Sequence, residues 1–459
     1  MEGSNSFARI AKPNFAAVVF VAIWIGYYAL LASIPFSTPF DTFSLAIGYQ
    51  ILFVSLTVAP FVATSILWRR SAPTFRRLSS NMTVAIVVVG LVLSVLALIS
   101  LAYDKLFLLG IDYTKGVCLA RYEMGRLGEG RAGPNSIFSF FGHLFGYSYF
   151  VPLAVVMVMP VSRRLAYLTV VVSFVCLMAM SFVASSRSAV LVVAAFVLAF
   201  VCIRLILRTP MPRLRLVDYL AGAAMALIAV GFVLQVFNCR ANASGMTTSE
   251  YAEDFAEFLG AKATGRVLTE EELARQREIA KRMNAIFVDG GSVTLAVLYA
   301  VHSAYTFSGI LALPDDGAWV MFSQVSSLLR KAGIRTGLIH SWTLSGRFSS
   351  LPGALYHDFR LWGIVAGALL LGGAAAGMRY VLERRGNSVV LIGVTAAIMA
   401  IMFLSPIHFA ADFVAFPFIC FSFLAVPAIA TLVTLVVGGP HRSVVAADRA
   451  PVPDSETRG

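Results

Sequence analysis

The stretch TVAIVVVGLVLSVLALISLAY, residues 83–103, decides the fold class, because no residue in it is charged. A helix needs about 20 apolar residues to cross a hydrocarbon core about 30 Å thick. Comparable stretches occupy residues 13–36, 43–68, 137–160, 165–184, 189–206, 217–237, 361–379, 388–404 and 413–436. The sequence therefore predicts an all-α, polytopic membrane helix bundle of about ten spans.

The composition of the chain agrees with a membrane environment. The 459 residues are 59% hydrophobic and 13% charged, whereas soluble domains carry about 45–50% apolar and about 25% charged residues. The formal net charge is +12. Because the basic residues stand mostly in short loops, we expect a lipid bilayer and no nucleic acid as partner.

The distribution of basic residues predicts the orientation. They occupy alternate connections: Arg9 and Lys12; Arg69, Arg70, Arg76 and Arg77; Arg163 and Arg164; Arg204, Arg208, Arg213 and Arg215; Arg379, Arg384 and Arg385. Short basic loops stay cytoplasmic, so both termini are predicted to be cytoplasmic. The remaining connections, 37–42, 104–136, 185–188, 238–360 and 405–412, are then extracytoplasmic.

This orientation divides the chain into four parts. Residues 1–237 form an N-terminal membrane bundle of about seven spans, and residues 238–360 form a large helical extracytoplasmic loop. Residues 361–436 form a C-terminal bundle of about three spans, followed by a cytoplasmic tail, 437–459. Segment 291–313 is apolar enough to span. A span there would export Arg379 and its neighbours, so we interpret it as interfacial, re-entrant or packed in the external domain.

Three smaller patterns give further predictions. Tyr251, Phe255, Phe258 and Leu259 form an apolar stripe at helical spacing, with Gly260 as a stop. Cys118 and Cys239 both fall in extracytoplasmic loops and are candidates for a disulfide. Four glycines in one span are expected to allow close helix packing: Gly363, Gly367, Gly373 and Gly377.

Motifs of several enzyme classes are missing from the sequence. It has no phosphate-binding P-loop, no GxGxxG after a strand, no Asp-x-Asp pair and no zinc-type spacing. An ATP-driven pump and a metal-dependent nucleotide-sugar transferase are therefore disfavoured, and we expect neither a metal nor a cofactor.

Cationic side chains also occur in the predicted outer loops, where polar and aromatic residues accompany them. Arg187 stands in the turn ASSRSAV, and the densest cluster is HSWTLSGRFSSLPGALYHDFRLWG, residues 340–363. Guanidinium groups bind phosphate with two parallel hydrogen bonds, so this pattern suits a diphosphate on a lipid. The alternative is ordinary interfacial anchoring. The base candidates are His340, His357 and Asp358.

At these residues the chain resembles the O-antigen polymerase group, the Wzy-type oligosaccharide repeat-unit polymerases. The SSRSAV turn at 185–190, the long late external loop and FSSLPGALYHDFRLWGIVAGALLLGG at 348–373 carry the resemblance. The last run is similar to the family pattern Gly-Xaa-Xaa-Tyr-Xaa-Asp-Phe-Gly, with Arg360 where that pattern often has Gly. The Arg-x10-Gly spacing of the group occurs from Arg131 to Gly142 and from Arg335 to Gly346.

The resemblance implies a GT-C-like, metal-independent glycosyltransferase in the bacterial inner membrane. It would transfer a growing glycan from undecaprenyl diphosphate to the next lipid-linked repeat unit at the outer face. Arg187, Arg335, Arg347 and Arg360 would bind diphosphate. Arg121, Arg126 and Arg131 would grip the acceptor or its carrier. A chain-length regulator and a flippase would be protein partners.

Three alternatives stay open at this stage. An O-antigen ligase would use the same donor with a lipid A core acceptor; His340-Ser341 begins its motif, but Leu351 stands where its Gly is expected. A flippase would need a cationic cavity inside the bundle. A non-catalytic chain-length regulator would need few spans and a long coiled coil.

Overall fold

The computed structural model describes residues 14–34, 36–37, 41–67, 79–116, 120, 123, 136–183, 188–210, 215–259, 262–263, 290–312, 320–321, 349–385, 388–410, 413 and 415–437. The helices in these ranges are α1 Phe15–Ser33, α2 Phe43–Leu67, α3 Ser80–Tyr103, α4 Ile137–Phe145, α5 Phe150–Val158, α6 Arg163–Val183, α7 Ser188–Ile206, α8 Leu216–Ala243, α9 Thr248–Phe258, α10 Gly290–Ala312, α11 Leu351–Arg385, α12 Val389–Leu404 and α13 Ala415–Val437. A π-helical turn, Asp104–Leu108, extends α3, and Tyr113–Lys115 is a 3-10 turn. Two short strands, β1 Phe36–Ser37 and β2 Lys262–Ala263, pair antiparallel.

The prediction of a helical membrane protein is confirmed. Within the described ranges, ten helices are long and apolar enough to cross a membrane, and the chain is a multi-pass membrane protein. The set differs in detail from the predicted one. α12, with 16 residues, is too short to be counted among the ten, whereas α10 is apolar enough to be included. The span predicted at 137–160 is interrupted between α4 and α5.

The helices run alternately between two ends of the bundle. We call end A the end where α1, α3, α6, α8 and α12 finish. Helix α10 contacts other elements at end A. Thr42, just before α2, donates to the Ser308 carbonyl, and Ser303 donates to the Pro406 carbonyl after α12. At the opposite end, end B, Arg163 at the start of α6 pairs with Asp218 at the start of α8 over 2.8 Å.

Helix α10 lies across end A, and its described side-chain contacts are with residues near that end. Tyr299 contacts Phe237 near the finish of α8, with ring centroids 5.5 Å apart. Farther along, Tyr305 contacts Phe43 at the start of α2, with centroids 5.6 Å apart. Phe43 begins α2, and Phe237 stands six residues from the finish of α8, or about 9 Å at 1.5 Å per residue. These contacts agree with the interpretation of 291–313 as a segment that does not span.

Helix α9 packs on α10, but not entirely with the predicted face. Leu259 is buried and Phe255 stacks on Tyr299 at 5.7 Å, as the stripe predicts. Phe258, however, is 44% exposed, because Ala252 and Ala256 take the centre of the buried face. Small residues there allow a closer approach than a phenylalanine would.

The glycines of α11 do not make the helix–helix contacts that the sequence predicts. Gly372, which the pattern missed, approaches α2: a Cβ there would lie 2.2 Å from the Thr57 carbonyl oxygen. Gly363 and Gly367 instead contact Leu355 of their own helix, and nothing lies within 4 Å of a Cβ at Gly373. The prediction that Gly373 and Gly377 pack against a neighbouring helix is wrong, because both face open space.

The four described cysteines differ in their pairing. Cys239, near the finish of α8, is disulfide-bonded, whereas Cys176, Cys202 and Cys420 are free and at least partly buried in helices. The fifth cysteine of the sequence, Cys118, lies outside the described residues. Its pairing with Cys239 therefore stays a prediction.

Candidate active site

The candidate site lies at a break in α11. Arg360 has φ 57° and ψ −151°, so the helix consists of a first half before this residue and a second half after it. In a straight helix Leu355 and Gly367 would be about 18 Å apart along the axis. Here a Cβ at Gly367 would lie 2.6 Å from Leu355 Cδ1. The second half therefore folds back beside the first.

Gly363 makes this return possible. A Cβ at that position would lie 2.2 Å from the Leu355 carbonyl oxygen and 2.7 Å from Phe359 Cβ. Arg360 itself has a backbone conformation that glycine adopts readily and other residues rarely adopt. A strained residue of this kind costs about 1–3 kcal/mol and persists only where the surroundings enforce it.

The first half of α11 is anchored at end A by backbone hydrogen bonds. The Leu351 amide donates to the Ser405 carbonyl at 3.0 Å, and the Phe409 amide donates to the Ser349 carbonyl at 3.2 Å. Phe307 of α10 covers the same half, since a Cβ at Gly353 would lie 3.3 Å from its ring. The connection from α12 to α13 and helix α10 thus fix where the site stands.

Asp358 is the most completely bonded group of the site. Its side chain is 0% exposed. The two carboxylate oxygens accept hydrogen bonds from the Val320 and Met321 amides, each at 2.9 Å. Oδ1 also contacts His357 Nδ1 at 2.9 Å. Because both oxygens are engaged and buried, this arrangement fits an anchoring and orienting role better than the predicted role of base.

His357 is the candidate base that this geometry favours. An ionised carboxylate only accepts, so Nδ1 of His357 carries the proton shared with Asp358. The basic nitrogen of the neutral ring is then Nε2. The side chain is 8% exposed, so the ring is held in a nearly closed environment. This is the orientation by a carboxylate that general-base histidines often use.

Arg360 presents its charge on the outer side of the break. The residue is exposed, and its guanidinium carbon lies 5.7 Å from the ring centroid of Tyr356. Tyr356 in turn stacks on Tyr49 of α2, with centroids 5.4 Å apart and an interplanar angle of 27°. A cation held against an aromatic face keeps its position without losing its charge.

Aromatic residues in the second half of α11 indicate the depth of Arg360 in the membrane. Trp362 is 79% exposed, and Tyr380 near end B contacts Arg384 at 4.3 Å. The two aromatic residues are separated by about 27 Å of helix, close to the thickness of a hydrocarbon core of about 30 Å. Tryptophan and tyrosine prefer the two interfaces. Arg360, two residues before Trp362, is therefore expected next to one boundary between hydrocarbon and headgroups.

Most of the other predicted site residues lie outside the described residues. They are Arg121, Arg126, Arg131, Arg187, Arg335, His340 and Arg347. Of the predicted set, the structure brings together His357, Asp358 and Arg360. The remaining predictions of diphosphate contacts and of His340 as a base stay predictions.

A buried ion pair at end A was not among the predicted site residues. Asp104 and Lys105 are in contact at 3.1 Å, with side chains 1% and 9% exposed. Asp104 also accepts a hydrogen bond from Ser136, the N-cap residue just before α4. The pair stands where loop 104–136 leaves and re-enters the bundle. The signal in the sequence was an Asp-Lys dipeptide ending a charge-free span, and π-helical turns often accompany functional sites.

Comparisons with known proteins give no relative. No family model matches the chain, and neither a curated protein nor a solved structure matches it.

Proposed function

We propose that the chain polymerises lipid-linked oligosaccharide repeat units, as the resemblance to the O-antigen polymerase group implies. One observation carries the proposal: a histidine that contacts a buried carboxylate stands three residues from an exposed arginine. The positions of Trp362 and Tyr380 favour a place for this arginine at the membrane boundary. A base and a cation at this boundary suit transfer of a sugar from a lipid diphosphate. The Gly of the family pattern falls on Arg360, whose backbone has a glycine-like conformation.

Two independent features support an orientation with end A outside the cytoplasm. The described arginines at end B include Arg163, Arg204, Arg208, Arg215, Arg379 and Arg384. Basic residues accumulate on the cytoplasmic side. Cys239 at end A is disulfide-bonded, and disulfides persist in oxidising compartments. The candidate site at end A would then face the periplasm of a bacterial inner membrane.

The reaction follows from the roles of these residues. The acceptor hydroxyl attacks the anomeric carbon of the donor glycan, and its proton passes to Nε2 of His357. A new glycosidic bond forms while the bond from that carbon to the diphosphate oxygen breaks. Undecaprenyl diphosphate leaves with the electron pair, and Arg360 stabilises the added negative charge. Arg187, Arg335 and Arg347 are proposed to share this role.

Asp358 has a positioning role in this scheme. Its carboxylate fixes the histidine tautomer and at the same time binds the Val320 and Met321 amides. Residues 320 and 321 are thus joined to the base through one side chain.

Deletion of the gene, followed by gel analysis of surface polysaccharide, tests the proposal. We expect a ladder of long chains to collapse to structures with a single repeat unit, and wild-type protein to restore the ladder. Free polysaccharide with no attached chains would identify a ligase. Repeat units trapped on the cytoplasmic face would identify a flippase, and an unchanged ladder would reject all three functions.

A further inference from the structure

Three aromatic rings from three helices meet beside the candidate site. Tyr49 belongs to α2, Phe307 to α10 and Tyr356 to the first half of α11. The ring centroids lie 5.4 Å apart for Tyr49 and Tyr356, 5.9 Å apart for Phe307 and Tyr356, and 6.4 Å apart for Tyr49 and Phe307. Aromatic pairs attract each other at centroid distances of about 4.5–7 Å. Each ring therefore contacts the other two, and we call this group the ring triangle.

The ring triangle restrains Tyr356 through two helices that are distant in the chain. Phe307 is 0% exposed, and its ring also lies 3.3 Å from the position of a Cβ at Gly353, three residues before Tyr356. Tyr49 stacks on Tyr356 with an interplanar angle of 27°. A tyrosine side chain has two torsions, and packing against two neighbours leaves it few rotamers. The position of the Tyr356 ring thus depends on α2 and α10 as well as on α11.

Arg360 lies next to the ring triangle. Its guanidinium carbon is 5.7 Å from the Tyr356 centroid, within the distance of about 6 Å at which a cation and an aromatic face attract each other. A long side chain at an exposed position keeps many rotamers unless a neighbour holds it. The Tyr356 ring is such a neighbour, and it holds the guanidinium only as firmly as the ring itself is held.

We propose that Tyr49 and Phe307 are positioning residues for the guanidinium of Arg360, acting through the Tyr356 ring. This inference rests on the proposed function, in which Arg360 stabilises the leaving diphosphate. A cation stabilises a developing negative charge most effectively when it is held in place before the reaction. The ring triangle supplies this order from two helices that hold none of the predicted site residues. Because Phe307 has no hydroxyl, the rings and not the phenol oxygens are expected to carry the effect.

Helix α11 contains a second pair of tyrosine and arginine that serves as a matched control. The Arg384 guanidinium carbon lies 4.3 Å from the Tyr380 centroid. In both pairs the residues are four positions apart, the tyrosine is half-buried and the arginine is exposed. The control pair stands near end B, at the far end of the second half of α11. A substitution of Tyr49 is therefore expected to leave it unaffected.

Modification by phenylglyoxal tests the proposal on the purified full-length protein in detergent. The reagent adds to a guanidine that has lost its proton, so a ring that favours the charged form slows the reaction. Mass spectrometry gives the rate at each arginine. Tyr49→Leu is expected to raise the rate at Arg360 several-fold, toward the rate in Tyr356→Leu. Tyr49→Phe keeps a ring and should keep the wild-type rate, and the rate at Arg384 should be unchanged in all three variants.

Three outcomes of this measurement would overturn the proposal. An unchanged rate at Arg360 in Tyr49→Leu would mean that the ring does not restrain the guanidinium. An equal rise in Tyr49→Phe would make the hydroxyl the essential group. An equal rise at Arg384 would mean that the substitution loosens the whole protein. If Tyr49→Leu fails to fold, Phe307→Leu tests the same expectation from the side of α10.

Polymerisation in vesicles separates this inference from the proposed function. Tyr49→Leu should lower the turnover of lipid-linked repeat units several-fold, Tyr49→Phe should restore it, and Tyr380→Leu should leave it unchanged. Full polymerisation by Arg360→Ala, together with the expected modification rates, would remove Arg360 from the reaction and leave its positioning by the ring triangle standing. Loss of polymerisation in Arg360→Ala with normal polymerisation in Tyr49→Leu would reject the positioning role alone.

Discussion

His357 and Asp358 are consecutive in the chain, yet Nδ1 of the histidine lies 2.9 Å from Oδ1 of the aspartate. Consecutive helical side chains point about 100° apart and do not normally meet. The contact forms because Asp358 is turned toward the Val320 and Met321 amides just before the helix breaks at Arg360. The arrangement gives the first prediction.

His357→Gln should lower polymerisation by roughly 10²–10⁴-fold, the usual contribution of a general base. Asp358→Asn should lower it in the same direction, because an amide cannot accept from all three donors. Polymerisation is measured as the number of repeat units joined per hour in vesicles supplied with lipid-linked repeat units. His143→Gln is the control, since His143 stands at the same end and stacks on Phe418 instead. Full activity of His357→Gln would exclude it as the base.

The strained backbone at Arg360 predicts that glycine and alanine at this position differ in their effect on stability. Arg360→Gly should be more stable than Arg360→Ala by about 1 kcal/mol, because only glycine adopts this conformation without strain. Both variants lose the guanidinium and should lose activity. Thermal unfolding in detergent measures the difference.

Arg384 supplies the matched control for that comparison. It lies near the other end of α11, among residues with helical backbone. There glycine should be less stable than alanine by up to about 1 kcal/mol. The order of the two substitutions is therefore expected to reverse between the positions, and the same order at both would show that Arg360 is not strained.

Neighbouring glycines in α11 give a third prediction. Gly372→Ala should destabilise the protein by roughly 1–3 kcal/mol, because the new methyl would meet the Thr57 carbonyl. Gly373→Ala should be neutral or stabilising, since nothing lies within 4 Å and alanine favours helix. Melting temperatures of the two variants check this. Equal effects would argue against the packing of α11 on α2.

The disulfide predicts a labelling pattern for thiols. In intact cells, a membrane-impermeant maleimide should not react with Cys118 or Cys239 before reduction and should react with both afterwards. In a Cys239→Ser variant, Cys118 should react without a reductant. Reaction from the cytoplasmic side only would reverse the proposed orientation and remove the active site from the periplasm.

The arginines outside the described residues are tested by the length of the glycan chains that each variant produces. Arg187→Ala and Arg347→Ala should each abolish long glycan chains while single-repeat structures persist. Lysine at either position should restore little, because it lacks the planar fork that binds two phosphate oxygens. Normal chain length in both alanine variants would count against the proposed function, and complete rescue by lysine would indicate a simple charge contact.

The limits of prediction are visible at particular residues. The sequence places His357, Asp358 and Arg360 in one cluster, but it does not distinguish the roles of His357 and Asp358, which are both base candidates. Asp358 binds amides 37 and 38 positions earlier in the chain, and no local pattern encodes such a contact. The buried Asp104–Lys105 pair is likewise absent from the prediction, since the bond from Ser136 to Asp104 spans a long loop.

The sequence alone determined that the chain is a helical membrane protein and which connections are basic, because apolar length and loop charge act locally along the chain. It offered Cys239 only as a candidate for a disulfide. Tertiary structure decided that α10 lies across one end of the bundle and that α11 folds back at Arg360. Both features depend on contacts between segments that are apart in the sequence, such as Gly363 beside Leu355 and Ser303 beside Tyr27. No single stretch of residues determines how such segments pack.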